Sequence, residues 1–404
     1  MRIPLASTGL RTADIDAVIE VLNSGNLTMG SRVKEFENKM AKYLGTKFFV
    51  MVNSGSSANL LMVEALLRPS KVKPRLKPGD SVLVPAIAWP TTIWPLIQLG
   101  LNPVFVDVDP ETIALDLNRA QELIDKSGIQ IQGIFPIHPL GYSIPPSLLE
   151  DFCTRNDLIL INDVCEALGS WSEGKHAGTI GIAGSFSFYF SHHITTMEGG
   201  GIATNDEDYA DDLRSMRSHG WSRDRTDASM WNQQKSSNDS KFLFVSTGYN
   251  VRPMEIQAAI GSLQIDCLDE FVNRRRYIAE RVLNAVSGSN LSVIGSKTLT
   301  NPETEKSNSW MLIPLRVEGS NVERRKLEIL KELENLQIET RPVLTGNFLA
   351  QPAIQRITKH ALDPNSFSVA SEITKSSFLI GAHHDLSGDQ VEFLCNSLKI
   401  VSSI

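Results

Sequence analysis

The chain has 404 residues, enough for two or three domains, and its 42% hydrophobic and 21% charged fractions are those of a globular protein. A net charge of −7 gives no overall attraction to nucleic acid. Apolar stretches such as residues 81–100 are interrupted by Pro85, Pro90 and Pro95, so no membrane span is expected, and a start without an apolar signal core favours the cytoplasm.

Short apolar runs and amphipathic segments alternate along the first two thirds of the chain. Helices are predicted at 12–24, 54–67, 91–99, 116–125 and 146–154, and strands at 48–52, 82–84, 104–108, 131–137, 158–163 and 185–190. This alternation favours an α/β fold with a mixed, mostly parallel sheet and helices on both faces. Asp163 and His192 fall just past strand ends, where such sheets bind their ligands.

The last part of the chain has a different pattern. Residues 223–240 are polar and are predicted to form a long surface loop. From Pro253 a helical pattern continues to about residue 285, and it is followed by strands at 311–317 and 338–342 and by helices at 322–336 and 387–401. Ser387 and Gln390 predict a capping box for the last helix. The predicted domains are a large one over 1–252, a bridging helix region over 253–286 and a small one over 287–404.

The four cysteines are far apart in the sequence, at positions 153, 165, 267 and 395. They form no CxxC pair and no zinc pattern, so reduced and mostly buried thiols are expected. No compact cysteine set is available to hold an iron–sulfur cluster, and no metal is expected.

Several strings resemble the DegT/DnrJ/EryC1/StrS sugar aminotransferases, a family that uses pyridoxal 5'-phosphate (PLP). The strings are residues 105–109, 163–166, 185–200, 248–253 and 341–348. The resemblance implies an aspartate-aminotransferase-type fold (PLP fold type I). In this fold a large domain with a mixed, mostly parallel sheet is joined to a smaller C-terminal α+β domain, and the protein works as a homodimer with shared active sites.

His192 is where the sequence departs from most of that family. The family has a lysine there, which bonds covalently to PLP, and an imidazole cannot form that bond. With an unperturbed pKa of about 6.5, a histidine can still move a proton near neutral pH. His192 is therefore the predicted catalytic acid and base, and its neighbour His193 is expected to be structural because adjacent side chains diverge.

The predicted cofactor site combines a carboxylate with a phosphate seat. Asp163 is expected to face the pyridine nitrogen of PLP and to keep it protonated, although an aspartate at this place is also a common helix cap. Three small residues at a helix start, Gly55, Ser56 and Ser57, offer amides and hydroxyls to a phosphate, and Ser187 is a further candidate.

Three more residues are assigned to the cofactor. Trp89 is expected to stack on the cofactor ring, and the alternative for it is a core tryptophan. The resemblance adds Glu166 to the cofactor site. It also implies that Asn250, in the Gly-Tyr-Asn-x-Arg string, contacts the cofactor phosphate of the neighbouring subunit.

Substrate binding is assigned to His219, Arg223, Glu339 and Arg341. The planar guanidinium of Arg341 suits either the carboxylate of glutamate or the phosphates of a nucleotide. The role of the 223–240 loop is left open.

Within the family, the likeness is greatest to dehydratases that use pyridoxamine 5'-phosphate (PMP). It implies removal of the C3 hydroxyl from a nucleotide-linked 4-keto-6-deoxyhexose, with GDP as the nucleotide and with glutamate regenerating PMP. Two alternatives are another histidine-type 3-dehydratase that needs a reductase partner, and a cofactor-binding paralogue without turnover.

Overall fold

The structure is a computed structural model that describes residues 1–68, 75–232, 242–357 and 363–404. Residues 233–240 of the predicted polar loop lie outside the described residues.

The helices and strands are numbered here in chain order. The helices are α1 (Thr12–Ser24), α2 (Ser31–Leu44), α3 (Gly55–Leu66), α4 (Pro90–Gln98), α5 (Leu117–Ser127), α6 (Pro146–Asn156), α7 (Glu207–Met216), α8 (Ala228–Asn232), α9 (Glu255–Gln264), α10 (Leu268–Val286), α11 (Lys297–Thr300), α12 (Val322–Asn335), α13 (Pro352–Ile357), α14 (Ser368–Ser376) and α15 (Gly388–Val401). The strands are β1 (Phe48–Val52), β2 (Ser81–Pro85), β3 (Asn102–Val106), β4 (Ile131–Ile134), β5 (Ile159–Asp163), β6 (Trp171–Ser172), β7 (Lys175–His176), β8 (Ala183–Ser187), β9 (Gly200–Thr204), β10 (Leu291–Val293), β11 (Leu312–Val317), β12 (Thr340–Arg341) and β13 (Ser377–Gly381).

A seven-stranded sheet with the order β1-β9-β8-β5-β4-β2-β3 forms the centre of the first part of the chain. The strands from β8 to β3 pair in parallel, whereas β9 runs antiparallel to both of its neighbours. Every residue of β2, β8 and β9 is buried, as expected for a sheet covered on both faces. The prediction of a mixed, mostly parallel sheet is therefore confirmed.

Two glycines let β9 pass directly under the start of α3. A Cβ atom on Gly200 would lie 2.4 Å from the backbone carbon of Ser54, and one on Gly201 would lie 2.3 Å from the ring of Phe49. Because no side chain fits at either position, β9 lacks the alternating apolar pattern that predicts a strand. The strand was not predicted from the sequence for this reason.

A second, antiparallel sheet with the order β10-β11-β13-β12 follows in the last part of the chain. Helices α10, α12 and α15 supply apolar residues to the core beside it. Ile3 joins this sheet next to Ile338, and the backbone hydrogen bonds on either side of it are each 2.9 Å long. The first residues of the chain are thus part of the core around the second sheet.

Residues 255–286 are helical, as the pattern from Pro253 to about residue 285 predicts, but they do not form one continuous α-helix. The chain forms α9 and α10, and a single 3-10 turn over Ile265–Cys267 separates them. The two helices have different packing partners, since α9 contacts α1 and α2 whereas α10 contacts α15. The tighter 3-10 turn marks the point where the packing partners change. The capping box at Ser387 and Gln390 is confirmed.

Within the described ranges, no helix has both the length and the apolar character that crossing a membrane requires.

Candidate active site

Asp163 is the last residue of β5, and three donors fix its carboxylate. Asn59 from α3 and Thr92 from α4 donate to Oδ2 at 2.8 and 2.7 Å, and the amide of Cys165 donates to Oδ1 at 3.1 Å. The side chain is buried at the carboxyl end of a parallel strand. Its orientation is therefore set by elements on two sides of the strand, where ligands of such sheets bind.

The start of α3 has the properties of an anion seat. Ser54 caps the helix by accepting a hydrogen bond from the amide of Ser57 at 3.1 Å, and the hydroxyl of Ser57 donates to Oδ1 of Asn53 at 2.7 Å. The first amides, on Gly55 and Ser56, have no acceptor within the helix. Ser187 adjoins them, because a Cβ atom on Gly55 would lie 2.6 Å from the Cβ of Ser187. Two amides and one hydroxyl thus lie close together, and this donor set suits a phosphate.

His192 lies in the loop after β8 and is half-buried. Its Nδ1 atom has no hydrogen-bond partner among the described residues. Burial lowers the pKa of His192 to about 3, and the positive charges of Arg341 and Arg275 act in the same direction. At neutral pH the ring is therefore uncharged and able to accept a proton. His193, in contrast, is fully buried and has its Nε2 atom 3.3 Å from the carbonyl oxygen of Ser309.

Glu166 and Arg341 meet across the two sheets. Glu166 follows β5 of the first sheet, Arg341 lies in β12 of the second, and the distance between Oε1 and Nη2 is 3.8 Å. The amide of Leu140 donates to the other carboxylate oxygen of Glu166 at 2.9 Å. Burial raises the pKa of Glu166, and Arg341 opposes that shift. The Nε atom of Arg341 is buried without a partner among the described residues, so this guanidinium keeps bonding capacity for a ligand.

A second group of predicted site residues lies together on an exposed part of the chain. Asn250 is exposed and pairs with Ser218 in an isolated bridge, directly before the exposed His219. The guanidinium of Arg223 lies 4.1 Å from the centre of the Trp221 ring. His219, Arg223 and Asn250 thus form one cluster, and none of them has a recorded contact with Asp163 or His192.

Two further predicted site residues, Glu339 and Trp89, belong to neither of these groups. The carboxylate of Glu339 is occupied by Arg2 at 2.6 Å and by the amide of Leu5 at 3.1 Å, so it anchors the start of the chain. Trp89 is 49% exposed and is not the core tryptophan of the alternative interpretation. It immediately precedes α4, three residues before the Thr92 that bonds Asp163.

Sequence reasoning missed the two side chains that hold Asp163. Asn59 is a buried amide in a helix whose other buried residues are apolar or glycine except for Glu64, and its oxygen accepts from Ser185 at 2.5 Å. Thr92 is one of two adjacent threonines, and only the structure shows which of them is buried. A polar residue inside an apolar helix face was the only sequence signal available for either residue.

Comparisons with known proteins agree with this geometry. The sequence profile of the DegT/DnrJ/EryC1/StrS aminotransferase family matches residues 9–399. The chain is 36% identical to GDP-4-keto-6-deoxy-D-mannose 3-dehydratase of Yersinia pseudotuberculosis, with 98% of each chain covered. It is 35% identical to the Escherichia coli protein of the same name, with 98% of this chain and 99% of that one covered.

Two solved structures are similar over nearly the whole chain. The Escherichia coli GDP-4-keto-6-deoxy-D-mannose-3-dehydratase with bound hydrated PLP has a TM-score of 0.88 and 36% identity, covering 99% of this chain and 100% of that one. A GDP-4-keto-6-deoxymannose-3-dehydratase with a trapped PLP-glutamate geminal diamine has a TM-score of 0.87 and 35% identity, covering 98% and 100%. The predicted aminotransferase-type fold is confirmed.

The donor set fits PLP or PMP. A fixed carboxylate at a strand end suits the pyridine nitrogen, and the free amides at the start of α3 with Ser187 suit the phosphate. The unpartnered Nδ1 of His192 leaves one proton-accepting atom free. In the part of the chain that the structure describes, no three His, Cys, Asp or Glu side chains are grouped to bind a metal.

Proposed function

Because the chain belongs to the DegT/DnrJ/EryC1/StrS aminotransferase family, we propose that it is a PMP-dependent nucleotide-sugar 3-dehydratase. It removes the C3 hydroxyl from a nucleotide-linked 4-keto-6-deoxyhexose, and glutamate regenerates PMP. One observation supports the proposal: the string that resembles the lysine segment of the family contains His192, a half-buried imidazole whose Nδ1 atom has no partner among the described residues. This site can move a proton, but it cannot bind the cofactor covalently.

The bound cofactor supplies an amine that condenses with the C4 ketone and a ring that accepts electrons. Asp163 would hold the ring nitrogen, and its hydrogen bonds to Asn59 and Thr92 keep the carboxylate in place. The amides of Gly55 and Ser56 and the hydroxyl of Ser187 would hold the phosphate. Each of these groups has a fixed position in the protein, so the cofactor is oriented without a covalent bond.

His192 performs the proton transfers. With the cofactor and the sugar bound, the neutral ring would accept a proton from the cofactor methylene carbon and would pass it to the C3 hydroxyl oxygen, which leaves as water. Hydrolysis of the released unsaturated amino sugar would then give the 3,6-dideoxy ketone and ammonia, which carries away the nitrogen that came from glutamate. Positioned acid and base groups of this kind contribute about 10²–10⁴ in rate. A lysine here would return the proton to the sugar carbon and complete a transamination.

Arg341 is the anion-binding residue of the proposal. Its free Nε and its incomplete pairing with Glu166 leave it able to bind either the carboxylate of glutamate or the phosphates of the nucleotide. The relative with a trapped PLP-glutamate adduct supports glutamate as the amino donor. The names of the relatives support GDP-4-keto-6-deoxymannose as the sugar substrate.

The cluster of His219, Arg223 and Asn250 supports a homodimer with shared active sites. These residues lie on an exposed part of the chain and outside the group around Asp163. We assign them to the active site of the partner subunit, where Asn250 contacts the cofactor phosphate. The distances of the four cysteines along the sequence support an enzyme without an iron–sulfur cluster.

The test is an assay with PMP, glutamate and a panel of GDP-, CDP- and dTDP-linked 4-keto-6-deoxy sugars, without a reductase. The expected product is lighter than its substrate by one oxygen atom, with one 2-oxoglutarate formed for each product molecule. Product formation only after a reductase is added would assign the chain to the reductase-dependent dehydratases. PMP binding with no turnover of any sugar would leave a cofactor-binding paralogue, and an aminated sugar would show an aminotransferase.

A further inference from the structure

Arg275 is a buried arginine that touches the loop of His192. It lies in α10, is 2% exposed, and forms no recorded ion pair with a carboxylate among the described residues. Nη1 donates to the carbonyl oxygen of Met311 at 2.8 Å, and Nη2 donates to the carbonyl oxygen of His192 at 3.2 Å. Burying a guanidinium costs free energy because its charge is removed from water, and two carbonyl acceptors do not neutralise that charge. Such a residue is therefore a candidate for a functional role.

We propose that Arg275 is a positioning residue of the dehydration, anchoring the backbone of His192 and holding a fixed positive charge beside its ring. The inference rests on the proposed function of His192.

The anchoring follows from a continuous path of hydrogen bonds. Glu166 accepts from the amide of Leu140, whose carbonyl oxygen accepts from the amide of Met311 at 2.9 Å. The carbonyl oxygen of Met311 accepts from Arg275, which donates in turn to the carbonyl of His192. The loop of His192 is thereby tied to the residue that directly precedes β11 of the second sheet. A forked guanidinium can bond two carbonyls at once, whereas an ammonium is a single point.

The charge argument depends on which groups surround His192. The groups that act on the His192 ring are Arg341 from β12, Arg275 from α10 and the backbone of Cys165 after β5. Tyr189 and His193 flank the ring in its own loop, and His383 and His384, in the turn after β13, line the same small space. Two carboxylates act on the arginines: Glu166 lies beside Arg341, and Asp385 acts on Arg275 through space. The positive charge of Arg341 is partly balanced by Glu166, and this arginine can also bind an anionic ligand. When such a ligand binds, Arg341 no longer lowers the pKa of His192.

Arg275 has no such opposing group at its guanidinium. Asp385 is the carboxylate that acts on it through space, and that side chain is half-exposed, accepts a hydrogen bond from the hydroxyl of Ser7 and lies 3.6 Å from Nε2 of His384. Burial lowers the pKa of Arg275 to about 10, so it stays charged at neutral pH. Its charge therefore persists through the catalytic cycle and keeps His192 ready to accept a proton.

The experiment compares Arg275→Gln, Arg275→Lys and the control Arg276→Gln in the holoenzyme. Arg276 is a neighbouring buried arginine that donates to the carbonyls of Asn308 and Lys306 and has no recorded hydrogen bond to the His192 loop. We expect Arg275→Gln to move the acid limb of the pH–kcat profile upward by about one pH unit, the scale for a nearby charge in a partly solvated site. Arg275→Lys keeps the charge, so the limb stays while kcat falls about tenfold at unchanged KM.

A second readout does not depend on turnover. The His192 imidazole is followed by NMR in histidine-labelled protein with PMP bound, down to the lowest pH at which the protein stays folded. Its signal is identified by its loss in His192→Asn, and the onset of protonation is compared between variants. Arg275→Gln should raise its pKa, and Arg276→Gln should not. The proposal would be overturned if the His192 signal titrated identically in the wild type, Arg275→Gln and Arg276→Gln and the acid limb of the pH–kcat profile did not shift. If Arg275→Gln does not fold, a wild-type kcat in Arg275→Lys would overturn it. A wild-type protein that dehydrates no sugar would instead overturn the proposed function, and the NMR result would then stand alone.

Discussion

The free ring nitrogen of His192 makes a direct prediction at the scale of one residue. His192→Asn removes the group that carries the proton but leaves Asp163 and the phosphate seat unchanged. Dehydration should therefore fall by at least about 10²-fold, while PMP binds with nearly wild-type affinity. Turnover is measured by the mass of the sugar product, and binding by titration calorimetry.

The neighbouring histidine provides the matched control for that variant. His193→Asn changes a buried ring that faces Ser309 rather than the cofactor site. It should lower stability and retain turnover in the folded protein. Full turnover by His192→Asn would contradict the mechanism.

Thr92 makes a second prediction, because its hydroxyl is one of two side-chain donors to Asp163 Oδ2. Thr92→Val has nearly the same shape but leaves one carboxylate lone pair unsatisfied in a buried place, at a cost of about 1–3 kcal/mol. We expect kcat to fall about tenfold to a hundredfold and the cofactor to dissociate faster, as measured by dialysis against buffer. Thr91→Val, at the adjacent and less buried threonine, should behave as wild type; equal losses in both variants would contradict the assignment.

Residues that act directly were easier to predict than residues that act through others. Asp163 ends β5 and His192 lies in the loop after β8, both in recognisable strings, so chemical type and approximate position were readable from the sequence. Asn59, Thr92 and Arg275 reach the site only because α3, α4 and α10 pack against it. No local pattern records such packing, and their contributions appear only in three dimensions.

At the scale of elements, the start of α2 depends on one buried carboxylate from another helix. Glu255, in α9, accepts from the amides of Gly30, Arg32 and Val33 at 2.8–3.0 Å. A negative charge at a helix start also interacts favourably with the helix dipole. Glu255→Gln can accept with one oxygen only, so it should lower the free energy of unfolding by about 1–3 kcal/mol in urea melts.

Glu35, which lies in α2 itself, is the control for the Glu255 prediction. Its carboxylate is exposed and 3.6 Å from Arg32, a surface pair that contributes at most about 1 kcal/mol. Glu35→Gln should melt close to wild type. A Glu255→Gln midpoint equal to that of Glu35→Gln would show that the cap contributes nothing.

Elements with strong periodicity were predictable, and those shaped by close packing were not. The range 12–24 predicted for the first helix is the range observed for α1. Helix α2 was not predicted, although its core residues Val33, Phe36, Met40 and Leu44 stand at helical spacing. Strand β9 was not readable, because its two glycines are required by the start of α3 and the ring of Phe49. The break between α9 and α10 is set by their partners, which lie far away in sequence.

At the scale of the whole molecule, several buried histidines make stability depend on pH. His138, His176, His193 and His383 are at most 5% exposed, and burial lowers the pKa of each. Between the lowered folded values and an unfolded value of about 6.5, the unfolded chain binds more protons. The free energy of unfolding is therefore highest above pH 6.5, and it falls by about 1.4 kcal/mol per histidine for each pH unit below that value.

Urea unfolding at pH 7.5 and 5.5 measures this effect, and the midpoint should be markedly lower at pH 5.5. His176→Gln removes one of the four and should reduce the difference, whereas His219→Gln, at an exposed histidine, should not. A midpoint that is equal at both pH values would contradict the prediction.

The pairing of β1 with β9 has a consequence for how the protein is made on the ribosome. Phe48 lies opposite Thr204, so an apolar edge strand pairs with a strand that is synthesised much later. At usual rates of translation, about 5–20 residues per second, β1 emerges roughly 10–30 s before β9. During that interval the nascent chain exposes a Phe-Phe-Val-Met-Val segment, the type that chaperones shield from aggregation. The phosphate seat at the start of α3 can therefore be completed only after about half of the polypeptide has left the exit tunnel.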